Sequence, residues 1–157
     1  MRLLLIALCL LLLCACHRHL GGIVPDQTLR SRFAKNHADL DSLVRFVKLR
    51  NEGEISADST PPAQPAARIA WAKIHDLLVK LKVKSATWSQ DGSVTIFVAI
   101  GDADLLRGRY YYFEYRPNTP ETVVPSLEEA YPYKPGTQYC MPLGEDNWYA
   151  SMNEDAD

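Results

Sequence analysis

The stretch SATWSQDGSVTIFVAI, residues 85–100, decides the fold. From Ser93 onward apolar residues alternate: Val94, Ile96, Val98 and Ile100 fall on one side, with Thr95, Phe97 and Ala99 on the other, the period of a strand with one buried face. Asp91-Gly92 separates this run from SATWSQ and predicts a two-residue hairpin turn, whose central positions both need positive φ. Upstream the period is helical. Leu29, Phe33, Leu40, Leu43, Val44 and Val47 predict an amphipathic helix over 26–49, capped by Asp26, loosened near Asn36 and stopped at Gly53. The Pro- and Ser-rich stretch 56–66, SADSTPPAQPA, reads as a loop, and a second helix begins at Pro65 or Ala66, where proline suits a first turn. Its apolar stripe is Ala70, Ile74, Leu77, Leu78 and Leu81, with Trp71 at the border covering the end of the core.

Downstream, DADLLRG connects to a strand over 109–116, RYYYFEYR, and two shorter strands follow over 137–141 and 147–152 around a turn at Gly144. Two helices followed by strands predict an α+β fold, with two N-terminal helices packed on one face of an antiparallel sheet of about four to five strands. At 157 residues and 47% hydrophobic, the chain suits one such domain, read as 26–153, with an acidic tail at 154–157. The net charge of −2 gives no electrostatic footprint for nucleic acid.

The first residues carry a different message. After Met1 and Arg2, residues 3–15 are almost purely Leu, Ile, Ala and Cys, and the polar His17, Arg18 and His19 follow Cys16. A run this short is a signal peptide rather than a membrane span, which needs about 20 apolar residues. A plain secretory signal cut after Cys16 is one reading. In the other, Leu13-Cys14-Ala15-Cys16 resembles the lipobox of bacterial lipoproteins, with Leu13 at the aliphatic position, Ala15 at the small one and Cys14 departing from the usual Ala or Ser. Cys9 and Cys14 do not fit, because a leucine precedes each. The resemblance implies removal of residues 1–15, lipid on Cys16 and a tether over 16–25. It places the protein in the cell envelope, held to the membrane by two or three fatty chains. Histidine rather than aspartate after the cysteine favours the outer membrane, facing the periplasm, where the source has two membranes. The helix pair, the Asp-Gly hairpin, Gly108-Arg109-Tyr110-Tyr111-Tyr112 and Asn147-Trp148-Tyr149 also resemble small bacterial envelope lipoproteins, which implies a fold and a compartment and no activity.

Chemistry is sparse. Cys140 is the only thiol left after processing, in an apolar strand context that predicts a small buried side chain rather than a nucleophile. His17, His19, His37 and His75 show no metal-ligand spacing, and no serine elbow or Gly-rich phosphate loop is present. All eight tyrosines lie between Tyr110 and Tyr149. Tyrosine pairs apolar area with a hydroxyl and suits a contact surface, and it also suits a half-solvated strand. In RYYYFEYR, Tyr111, Phe113 and Tyr115 are expected inside because their face lacks the charged Glu114, which leaves Tyr110 and Tyr112 as candidate partner contacts. The expected function is a lipid-anchored binding domain near the membrane surface, with another envelope protein as partner and no cofactor or metal. The alternatives are a cell-envelope hydrolase using dispersed residues such as Asp102, Asp104 or His75, and a structural envelope component.

Overall fold

The computed structural model describes residues 23–50, 53–98, 109–130, 132–134, 136–145 and 147–154. Helix α1 spans Asp26–Arg50 and α2 spans Pro65–Leu81. Strand β1 is Glu54–Ser56, β2 Val83–Trp88, β3 Val94–Val98, β4 Arg109–Tyr115, β5 Gln138–Pro142 and β6 Trp148–Glu154. The strands form one antiparallel sheet in the order β1-β2-β3-β4-β6-β5. The α+β class holds, with two corrections to its details. The sheet has six strands rather than four to five, and β1 lies between the helices, so these are not a purely N-terminal pair. β1 is only Glu-Ile-Ser, too short to display a period, and it exists because β2 offers an edge on which Ile55 can bury its side chain opposite Ala86.

α1 buries the six residues of its predicted stripe and runs unbroken past Asn36, whose side-chain amide donates to Arg32 O at 2.7 Å. Asp26 does not cap its own helix. Its carboxylate instead accepts the Leu127 N–H at 3.1 Å, and its own N–H donates to Glu128 Oε2 at 3.0 Å, tying the start of α1 to a segment a hundred residues away. α2 starts with proline in its first turn and ends at Lys82 in the left-handed region, where Arg32 donates to Leu81 O at 3.0 Å and Lys82 O at 2.7 Å. The helices run antiparallel, also joined by Lys80 to Asp39 at 2.8 Å. Neither is long and apolar enough to cross a membrane.

Register explains the core. Ile55, Ala86, Ile96, Phe113, Ala150 and Met141 stand directly opposite one another across all six strands, and each is buried. Phe33 of α1 meets this row, its ring 5.9 Å from Phe113 and 5.3 Å from Trp148. Leu127 and Tyr133 close one end of the core, the Tyr133 hydroxyl donating to Leu127 O at 2.6 Å. Trp71 does not cover the other end; it is half-buried, donates to Ser59 Oγ at 3.1 Å and stacks on His75 at 4.6 Å.

The hairpin at Asp91-Gly92 forms, with a longer loop than predicted. Ser89 N–H donates to Ser93 O and Gly92 N–H to Ser89 O, so three residues, 90–92, connect the strands. Only Gly92, at φ +85°, adopts the left-handed conformation. Asp91 serves differently: its carboxylate accepts from Ser93 Oγ at 2.7 Å and Ser93 N at 2.9 Å, bonds that hold its pKa below the ordinary carboxylate value.

Candidate functional site

The sheet face turned away from the helices collects the polar residues. Its rows follow from the same register: Thr87, Thr95, Glu114 and Tyr149 in one, Ser85, Phe97, Tyr112, Ser151 and Cys140 in the next, then Tyr110, Asn153 and Gln138. Alternation along β4 therefore separates Tyr111, Phe113 and Tyr115, which face the helices, from Tyr110, Tyr112 and Glu114. Tyr111 and Phe113 are buried and Tyr115 is half-buried, its ring 4.0 Å beneath Lys48 Nζ.

Glu114 overturns the reason given for that separation. Its charge was expected to mark a solvated face, yet the residue is 1% exposed. A buried carboxylate is costly unless it is paired and hydrogen-bonded, and here both oxygens are satisfied. Oε2 accepts from Arg116 Nε at 2.9 Å. Oε1 accepts from Gln138 Nε2 at 2.8 Å, Arg116 Nη2 at 3.2 Å and Thr95 Oγ1 at 3.3 Å. Arg116 Nη2 also donates to Gln138 Oε1 at 2.9 Å, closing a ring of three side chains. Burial works against the Arg116 charge, but the hydrogen bond and charge of Glu114 outweigh it and raise the guanidinium pKa above its ordinary value. Arg116 Nη1 makes no hydrogen bond among the described residues.

Two polar clefts open on either side of this ring and share Arg116 and Gln138. One, of about 410 Å³, is walled by Pro120, Glu121, Thr122 and Thr137. The other, of about 330 Å³, is walled by Thr87, Thr95, Tyr112 and Asn153. Asn153 Oδ1 is buried there with no hydrogen-bond partner among the described residues. Beside the second cleft, Phe97 lies between the two tyrosines singled out from the sequence, its ring 5.8 Å from Tyr110 and 5.4 Å from Tyr112. Both tyrosines are half-buried, so they form an aromatic shelf rather than projecting side chains.

Cys140 stands against the same ring, its Sγ 3.8 Å from Glu114 Oε2. Burial, with Glu114 adding to it, pushes the thiol up to about 12, so it carries almost no thiolate at neutral pH and is a packing residue rather than a nucleophile. His75 is remote from the ring and faces the Ala57 carbonyl at 3.0 Å, which it can meet only as a donor. His37 packs on Phe33 at 4.9 Å and contacts Asp41 at 3.5 Å. Among the described residues no three His, Cys, Asp or Glu side chains converge as metal ligands. Asp102, Asp104 and Cys16 lie outside the described residues.

The ring of Glu114, Arg116 and Gln138 escaped the sequence reading. Glu114 and Arg116, two apart on a strand, share a face and could have been paired by alternation alone. Gln138 arrives from another strand, which no local pattern announces. No protein-family model, curated protein or solved structure matches this chain.

Proposed function

We propose that this protein is a lipid-anchored envelope protein, attached through Cys16, that binds a second envelope protein through the outer face of its sheet. The lipobox-like Leu13-Cys14-Ala15-Cys16 supports the anchor. The observation that supports the binding face is the Glu114–Arg116–Gln138 ring, set between two clefts and beside the Tyr110–Phe97–Tyr112 shelf. An ion pair held in one geometry, next to half-buried aromatic area, is what a recognition surface needs: tyrosine supplies contact area, and arginine supplies oriented donors. The hydrolase alternative draws no support from this site, where both Glu114 oxygens accept hydrogen bonds and Cys140 is an inert thiol.

Two experiments on the full chain test the two halves. Metabolic labelling with a fatty-acid probe should mark the wild type and lose the mark in Cys16→Ala; label that persists in the variant, or is absent from the wild type, overturns the anchor. A photo-crosslinking amino acid placed at position 112 should trap one discrete envelope protein in living cells, and Arg116→Ala should abolish the product. Equal trapping from position 112 with and without Arg116 removes the ring from the binding surface.

A further inference from the structure

The helical layer of the domain is basic although the chain as a whole is acidic. α1 and α2 hold nine Lys and Arg against four Asp and Glu, whereas the chain as a whole is −2, so the remainder has eight basic and fifteen acidic residues. Of the four helical carboxylates, Asp39 pairs with Lys80 inside the layer, while Asp26 and Asp41 accept from the neutral donors Leu127 N–H and Trp148 Nε1, the latter at 3.1 Å. The layer keeps a net excess of five positive charges, with Lys35, Arg45 and Lys73 exposed on it.

The outward surface of that basic layer is also where apolar side chains are left in water. Among the described residues four large hydrophobics are well exposed, and three are helical: Leu49 at 77%, Ile69 at 65% and Val79 at 57%. Leu49 and Ile69 flank an apolar groove of about 320 Å³ between the end of α1 and the start of α2, floored by Phe46 and Ala70 and rimmed by Lys73. Apolar side chains projecting from a basic two-helix surface combine the two attractions of an interfacial membrane contact, burial below the headgroups and charge pairing with anionic lipid. A second copy of the chain would bring like-charged rims together, so a lipid surface is the better occupant.

We infer that the outward surface of the α1–α2 layer, with Leu49 and Ile69 inserted and Arg45, Lys35 and Lys73 at the headgroups, rests on an anionic lipid membrane. The inference deepens the proposed function and rests on the Cys16 anchor for proximity, since Val24 is already buried with its N–H on the Tyr111 hydroxyl and the stretch from Cys16 to Ile23 reaches about 30 Å at most. Lying on its helices, the domain turns Glu114, Arg116 and the tyrosine shelf away from the bilayer, toward a partner.

The test reconstitutes the full chain, made in a bacterial host, into phosphatidylglycerol–phosphatidylethanolamine vesicles containing a spin-labelled quencher lipid. An environment-sensitive fluorescent amino acid replaces either Ile69, on the helical surface, or Thr87, on the outer sheet face. Quenching should be several-fold stronger at position 69 than at 87, and the difference should shrink in phosphatidylcholine vesicles or in high salt. Equal quenching at both positions, or stronger quenching at 87, overturns the inference while leaving the anchor intact. Shielding of the position-69 probe that rises with protein concentration in lipid-free detergent marks a second copy and also overturns it. A chain that lacks lipid on Cys16 yet binds anionic vesicles through position 69 overturns the anchor and supports the surface; failure to bind them in that state overturns both.

Discussion

Arg116 grips Glu114 from above the end of its own strand, with Nε 2.9 Å from Oε2 and Nη2 reaching both Glu114 Oε1 and Gln138 Oε1. The side chain of Glu114 is 1% exposed and that of Arg116 27%, so the carboxylate carries most of the desolvation. Removing the cation alone should therefore be worse than removing the pair. Arg116→Ala should destabilise the fold by about 3 kcal/mol, the low end for breaking a buried pair because Arg116 is partly solvated. The double variant Glu114→Gln/Arg116→Met should recover at least half of that. Urea denaturation of the single and double variants measures both numbers, and a double variant no better than Arg116→Ala would show that the ring contributes net stability.

The Cys140 thiol sets an alkaline limit. Its folded-state pKa is raised from 9.0 to about 12, chiefly by burial, so below pH 9 both folded and unfolded chains keep the proton and nothing changes. Between pH 9 and 12 the unfolded chain ionises first, and stability falls by up to about 1.4 kcal/mol per pH unit. Tyrosines titrate in the same range, so the measurement is the difference between wild type and Cys140→Ala. The variant should lose about 1 kcal/mol at pH 7 for the small cavity and show the shallower decline above pH 9. At pH 8 a thiol reagent should leave Cys140 unmodified until denaturant is added.

The two faces of β4 should answer differently to truncation. Tyr111→Ala and Phe113→Ala each remove a buried ring and should cost about 3–5 kcal/mol. Tyr110→Ala and Tyr112→Ala remove half-buried rings tilted against Phe97 and should cost about 1 kcal/mol each. Thermal melts separate these classes, and losses of equal size on both faces would mean that the outer shelf is as much core as the inner row.

Asp26 offers a test of long-range fastening. Asp26→Ala leaves the Leu127 N–H without its acceptor, 101 residues away in sequence, at a cost of about 1–2 kcal/mol. Amide exchange at Leu127 should accelerate well beyond that of residues in the centre of β4. Unchanged exchange there would show that Tyr133 and the burial of Leu127 hold the segment unaided.

The sequence by itself determined the elements whose signal is local. Six apolar positions at helical spacing marked the buried face of α1, and strict alternation over Val94, Ile96 and Val98 marked β3, because each face repeats often enough to be read without a partner. The inner and outer sets of RYYYFEYR were also legible, since alternation permits only two. What tertiary structure alone decided depends on neighbours distant in the chain. β1 is a strand only because β2 presents an edge to it. Asp26 meets Leu127 rather than its own helix because residues 126–128 fold back over the start of α1. Glu114, polar by every local measure, is buried because Gln138 and Thr95 approach from β5 and β3 while Arg116 closes over it. A charge tolerates burial when its partners arrive preassembled, and that assembly is a property of the sheet's strand order, which no stretch of the chain contains.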